Sequence, residues 1–156
     1  MSRQDEYLPF TVTATPTITA GAYAAGDAVG GKLTFSNVAD GSGRSILINT
    51  LVLKDLAKQL ASLQLVLFNQ DFTATLDNDP FDPTDADLAN CCGIIPITGS
   101  DYGSFNDNAV AVVRSVGLEL ALSGSNDLYG QLFTVSSTPT YASTSDISVT
   151  LVGLQV

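Results

Sequence analysis

Apolar residues along this chain recur mostly at every second position, in short runs divided by clusters of Gly, Asn, Asp and Ser. That period marks half-buried β-strands. Pro9 to Ile18 (PFTVTATPTI) puts Phe10 and Val12 on one parity, and Pro16 restricts the run to a sheet edge or an interruption. Tyr23 to Asp27 reads as a turn. Ala28 to Phe35 is a glycine-weakened strand with Leu33 and Phe35 on one face, followed by a loop over Asn37 to Arg44. Ser45 to Lys54 and Ser62 to Asn69 are strong strand candidates. In the first, Ile46, Ile48, Thr50 and Val52 alternate with Leu47, Asn49, Leu51 and Leu53; in the second, Leu63, Leu65 and Leu67 alternate with Gln64, Val66 and Phe68.

Leu and Val thus occupy both parities of these two runs, which implies a sheet covered on both faces. Further copies of the chain or a loop packed on the outer face would each supply that cover. The intervening Asp55 to Ala61 is ambiguous, because Leu56, Leu60, Leu63 and Leu67 also fit a helical stripe. A helix from Leu51 to Leu67 would carry Val52, Leu53, Leu65 and Val66 round its other faces, so two strands joined by a polar connection are expected. Gly93 to Thr98 is a short strand spoiled by Pro96. Ala109 to Leu122 is the longest strand expected, with Val112, Val116, Leu118, Leu120 and Leu122 on one parity. Leu128 to Ser136 is expected to pair back on it as a hairpin. Asp146 to Val156 changes apolar parity, which predicts a bulge near Gly153. The pattern therefore predicts an all-β fold, an antiparallel jelly-roll-like β-sandwich of about eight strands. A polar arm over residues 1–9 precedes a single domain over 10–156.

Composition narrows the function more than the fold. The chain has 156 residues, the size of one domain, and no histidine or tryptophan. Six basic against sixteen acidic residues give a net charge of −10. Nucleic acid and anionic membrane surfaces are therefore not expected partners. No apolar run approaches the roughly 20 residues of a membrane span. The N-terminal residues carry no apolar leader segment, so synthesis and folding as a soluble intracellular product are expected.

Candidate chemistry is sparse. Cys91 and Cys92 are neighbours whose Cα atoms lie about 3.8 Å apart, too close for an unstrained disulfide. They are expected to be small buried hydrophobes. The sharpest feature is Asp77, Asp79, Asp82, Asp85 and Asp87, five carboxylates in eleven residues. Such a run can wrap calcium, but a loop starting at Asp77 puts Phe81 and Leu88 at EF-hand ligand positions. The plainer reading is a turn followed by a short helix near 84–91, capped by Thr84 with Asp87 as a capping-box partner. No phosphate-binding loop, nucleophile elbow or histidine-based triad can be assembled. No catalytic residue, resident cofactor or metal ligand is assigned, and no enzymatic activity is expected. Eight aspartates and no cation between Gln59 and Val113 predict one strongly negative side.

The strings Tyr23-Ala24-Ala25-Gly26-Asp27-Ala28-Val29-Gly30-Gly31 and Leu63-Gln64-Leu65-Val66-Leu67-Phe68, with the Asp77 to Asp87 block, carry a resemblance. In order and spacing the chain resembles, from about Thr11 to Val156, the capsid decoration or cement proteins of tailed bacteriophages. The resemblance implies a non-enzymatic virion protein on the outer capsid surface. It implies a homotrimer seated between subunits of the major capsid protein lattice, holding the shell together. A tail or fibre component, and a carbohydrate- or receptor-binding sandwich using the Asp77 to Asp87 loop and calcium, stand as alternatives.

Overall fold

Ten strands and one short helix follow from these runs, in a computed structural model that describes residues 7–40 and 44–156. The strands are β1 (Leu8–Ala14), β2 (Ala28–Phe35), β3 (Ser45–Asp55), β4 (Leu63–Phe68), β5 (Cys91–Ile97), β6 (Tyr102–Ser104), β7 (Ala109–Val113), β8 (Leu118–Ala121), β9 (Leu128–Thr134) and β10 (Ile147–Gln155). Helix α1 is Asp85–Leu88. β1 includes Leu8 and Pro9, so the strand takes in the last two residues of the expected arm; residues 1–6 lie outside the described residues, as do 41–43 of the loop after β2.

The pairing is nested and antiparallel. β1 pairs with β10, β2 with β9, β3 with β7 and β8, and β4 with β5. Wrapping this long hairpin adds β10 to β3 and β9 to β4. Two sheets result, β1-β10-β3-β7-β6 with β8 also on β3, and β2-β9-β4-β5. This is the strand order of a jelly roll, and the all-β antiparallel sandwich read from the alternation is the fold. Between the sheets lie the large side chains of alternate positions, among them Phe35, Ile46, Ile48, Leu51, Leu53, Leu63, Leu65 and Leu67, all fully buried. Each such side chain stabilises the fold by about 1.5–3 kcal/mol.

Three expectations need correction. The mixed parity of Ser45 to Lys54 is not two-sided burial. Val152 pairs with Thr50 but Gly153 with Ile48, so Asn49 is an extra residue in β3. Ile46 and Ile48 before it, and Leu51 and Leu53 after it, all face the core. The bulge is where the parity of the last strand predicted it, but β3 holds the extra residue. Second, Ala109 to Leu122 is two strands. Ser115 and Gly117 have φ of 54° and 63°, and the Val116 amide donates to the Asn49 carbonyl at 2.9 Å. The break changes the inward parity from Ala109, Ala111 and Val113 to Leu118, Leu120 and Leu122; Val112 points outward. Third, no hairpin joins β8 to β9, since the turn between them crosses from one sheet to the other.

The bulge works because residue 153 is glycine. A Cβ there would lie 2.2 Å from the Leu47 carbonyl oxygen and 2.8 Å from the Phe10 ring. Gly153→Ala is expected to destabilise the fold by about 3 kcal/mol, through a displaced Phe10 and a strained ladder. Urea unfolding of the two proteins measures it.

Candidate functional site

The acidic segment is not a free loop. β4 turns its Leu63, Leu65 and Leu67 inward and leaves Val66 and Phe68 pointing away from the main core. The chain after β4 folds back across that outer surface. Phe72 stacks on Phe68 with ring centroids 4.1 Å apart, and Phe81 on Phe133 at 4.9 Å. The two-faced burial of β4 is thus intramolecular, with a loop as its cover.

Polar side chains fasten this cover. Gln131, fully buried on β9, accepts from the Thr75 amide at 3.0 Å. Its Nε2 donates to the carbonyls of Thr75 at 2.7 Å and Gly30 at 3.0 Å. The Asp77 carboxylate accepts from the Thr19 hydroxyl at 2.6 Å, the Tyr23 hydroxyl at 2.7 Å and the Gly30 amide at 2.6 Å. The Asn78 amide donates to the Ala28 carbonyl at 2.9 Å, the Ala28 amide to that of Asp79 at 2.8 Å, and the Phe81 amide to that of Gly26 at 2.9 Å. A glutamine on a strand carries no sequence signal of such a role; only its burial beneath the loop reveals it.

The five carboxylates are consequently kept apart. Asp77 turns inward to the hub just described. Asp79, Asp82 and Asp85 are exposed. Asp87 accepts from the Thr73 amide at 3.2 Å, so it ties the helix to the covering segment and does not return to the Thr84 amide as a full capping box. Thr84 does cap α1, accepting from the Asp87 amide at 3.1 Å. The helix ends at Leu88, shorter than the expected 84–91, because Cys91 already belongs to β5. Among the described residues, no three Cys, Asp or Glu side chains gather where they could hold a metal ion. The five carboxylates of this loop thus diverge rather than converge.

Cys91 and Cys92 are free thiols and only half-buried. A bulge in β5 opposite Leu67 and Phe68 turns them to opposite sides, Cys91 to the covered outer face and Cys92 to the main core. Burial, reinforced by the neighbouring Cys91, pushes the Cys92 thiol up to about 12, which leaves it a poor nucleophile at neutral pH.

Two shallow depressions flank the cover and share Asp71 as a wall. The larger, about 470 Å³, runs past Lys32, Phe72 and Asp87. The smaller, about 260 Å³, is lined by Gln70, Ser123, Ser125 and Tyr129. Lys32 forms an ion pair with Asp71 and holds its carboxyl below the ordinary carboxylate range. Its ammonium lies 5.4 Å from the centre of the Phe72 ring. No family model, curated protein or solved structure matches this chain.

The opposite side of the molecule differs in kind. The outer surface of the six-stranded sheet carries Thr11, Thr13, Thr50, Val52, Val110, Val112, Thr150 and Val152, exposed or half-exposed. Lys54 and Glu119 are the charged side chains that its described strands place there.

Asp77→Ala is expected to cost about 3 kcal/mol, because it strands three donors and loosens the cover. Equilibrium urea unfolding reports the loss, and limited proteolysis within 72–82 should speed up in parallel. Alkali supplies an independent check. Burial, then the Asp77 hydrogen bond, raises Tyr23 from 10.0 to about 12. Burial likewise raises Tyr102 and Tyr141, each further held neutral by the nearby Asp55 carboxylate. These phenols ionise in the unfolded chain near pH 10 but later in the native one. The stabilisation due to these phenols should be constant below pH 10 and fall steadily between pH 10 and 12. The phenolate absorbance of Tyr23, Tyr102 and Tyr141, isolated in a Tyr7→Phe, Tyr129→Phe background, should appear together with unfolding, not before it.

Proposed function

We propose that this protein is a non-enzymatic structural component of a tailed-phage virion, a head decoration or cement protein that attaches to the major capsid protein lattice as a homotrimer. The observation that carries this reading is the two-sidedness of the sandwich. One broad face is uncovered, half-exposed and nearly uncharged. The other lies under a covering loop that holds Asp71, Asp77, Asp79, Asp82, Asp85 and Asp87.

The first face suits adhesion. Valine and threonine in regular cross-strand rows, such as Val112, Val52, Thr150 and Thr13, present a rigid surface. The Thr13 and Thr150 hydroxyls already bond to each other at 2.7 Å, so burying them leaves each with a partner. A sheet of this length and width offers about 600 Å², from roughly 3.4 Å per residue and 4.8 Å per strand. That is below the ~800 Å² per partner of a standard interface, so a single copy binds weakly. A trimer engaging several subunits at once turns weak contacts into stable attachment, because the second and third become intramolecular. The acidic side then faces solvent and keeps finished particles apart. Jelly rolls also build viral capsid and lectin domains, an analogy of fold alone.

Purified protein incubated with preformed empty heads is expected to co-sediment with them and raise their melting temperature. Val52→Lys combined with Val112→Glu, an opposite-charge pair facing each other across the strands, should abolish both effects with only a small change in the protein's own melting, since these side chains are already half in water. Absence of binding by the wild type, or recovery in tail fractions only, overturns the reading. Sedimentation velocity at micromolar concentration is expected to give a trimer.

A further inference from the structure

We propose that the trough around Asp71 is a binding site for a neutral oligosaccharide. The larger of its two depressions alone reaches the roughly 300–1,000 Å³ of small-molecule sites. Its walls combine the half-exposed Tyr129 ring, beside the buried Phe72, with the Gln70 side-chain amide, the Ser123 and Ser125 hydroxyls and the Asp71 carboxylate.

That lining selects by elimination and by fit. An apolar ligand would desolvate the amide, hydroxyls and carboxylate with nothing to bond them. An anion would meet Asp71, Asp87 and a chain of net charge −10, and the one ammonium at the site, Lys32, is already paired to Asp71. A sugar matches both components. Its hydroxyls donate to carboxylate and amide oxygens and accept from amide and hydroxyl donors, while its C–H face rests on an aromatic ring. Lys32 favours the ionised form of Asp71, lowering its carboxyl below the ordinary range, so it serves as an acceptor.

The trough is also held in shape. The Gln70 amide donates to the Ser123 hydroxyl at 3.1 Å, and the Ser123 amide to the Asn69 carbonyl at 3.2 Å, which ties its two sides together. Below them the Asn69 Nδ2 donates to the Ala121 carbonyl at 3.3 Å, and the Asn69 Oδ1 is buried without a protein partner. The depressions are open, which admits an extended chain of sugar units. They lie on the covered, acidic side, opposite the uncovered sheet face, so the site does not depend on attachment to a capsid. It differs from the sugar-binding alternative read from the sequence, which used the Asp77 to Asp87 run with calcium: of that run only Asp87 lines the trough.

The test is titration of the full-length protein, without calcium, against neutral hexasaccharides of glucan, galactan, mannan and chitin type, read by saturation-transfer NMR and calorimetry. At least one is expected to bind with Kd on the order of 1 mM or tighter. Gln70→Ala and Tyr129→Ala should each weaken it by about tenfold. Ser125→Trp, which fills the smaller depression from a half-buried turn position, should block binding with the far-UV circular dichroism spectrum unchanged. Asp79→Asn with Asp82→Asn, on the loop surface away from the trough, should leave binding intact. The proposal fails if none of the four hexasaccharides binds, if Ser125→Trp binds as well as wild type, if the Asp79/Asp82 variant loses binding, or if sulfated glycans bind more tightly than neutral ones.

Discussion

Val66, Phe68 and Phe133 sit in the four-stranded sheet with their side chains directed away from the main core. A sheet that is apolar on both faces cannot stand in water on one side, so some other part of the chain must cover it. The segment after β4 provides that cover, and it stays down because Gln131 of β9 bonds the Thr75 backbone while Asp77 of the cover accepts from the Gly30 amide of β2. Apolar stacking alone would leave several amides and carbonyls buried without partners, each a penalty of 1–3 kcal/mol on the order of the whole benefit of a phenyl ring. The position of every acidic residue between 71 and 87 follows from this arrangement. So does the shape of the trough around Asp71.

The same device recurs at the connection between β3 and β4. Asp55 is fully buried, yet its carboxylate accepts from the amides of Ala57 at 3.1 Å, Gln59 at 2.7 Å and Leu60 at 2.9 Å. It holds Lys58 and Leu60 in the left-handed region, at φ of 53° each, where a non-glycine residue is strained. Asp146 ties down the chain before β10 in the same way, accepting from Ala142 and Ser143 at 2.9 Å. Carboxylates that a sequence reader counts as surface charge are spent on fixing loops. The result is a body whose connections are held as its strands are, which suits the adhesive role proposed for it.

Sidedness connects this architecture to activity. A jelly roll has two broad faces, and here they differ in covering, charge and texture. The uncovered face presents β-branched side chains with little charge; the covered face presents carboxylates and an aromatic-lined trough. An adhesive role for the first and a recognition role for the second are compatible because the core separates them. Neither requires the protein to make or break a bond.

The alternation of apolar positions determined that the chain forms antiparallel strands in a sandwich, and glycine at 153 marked where the pairing slips. It also located the Thr84 cap, because capping is a local hydrogen bond between residues three apart. Which strand holds the bulge, that Ala109 to Leu122 breaks in two, and that β8 and β9 part into different sheets were decided by tertiary structure. Each depends on a partner distant in sequence: Asn49 facing Val116, or Gly153 beneath Phe10. The acidic run shows the limit most plainly. Its composition allows an ion cage, but whether carboxylates converge or diverge depends on what lies beneath them. Gln131, Tyr23 and the Gly30 amide reach the loop only after the sheet has formed.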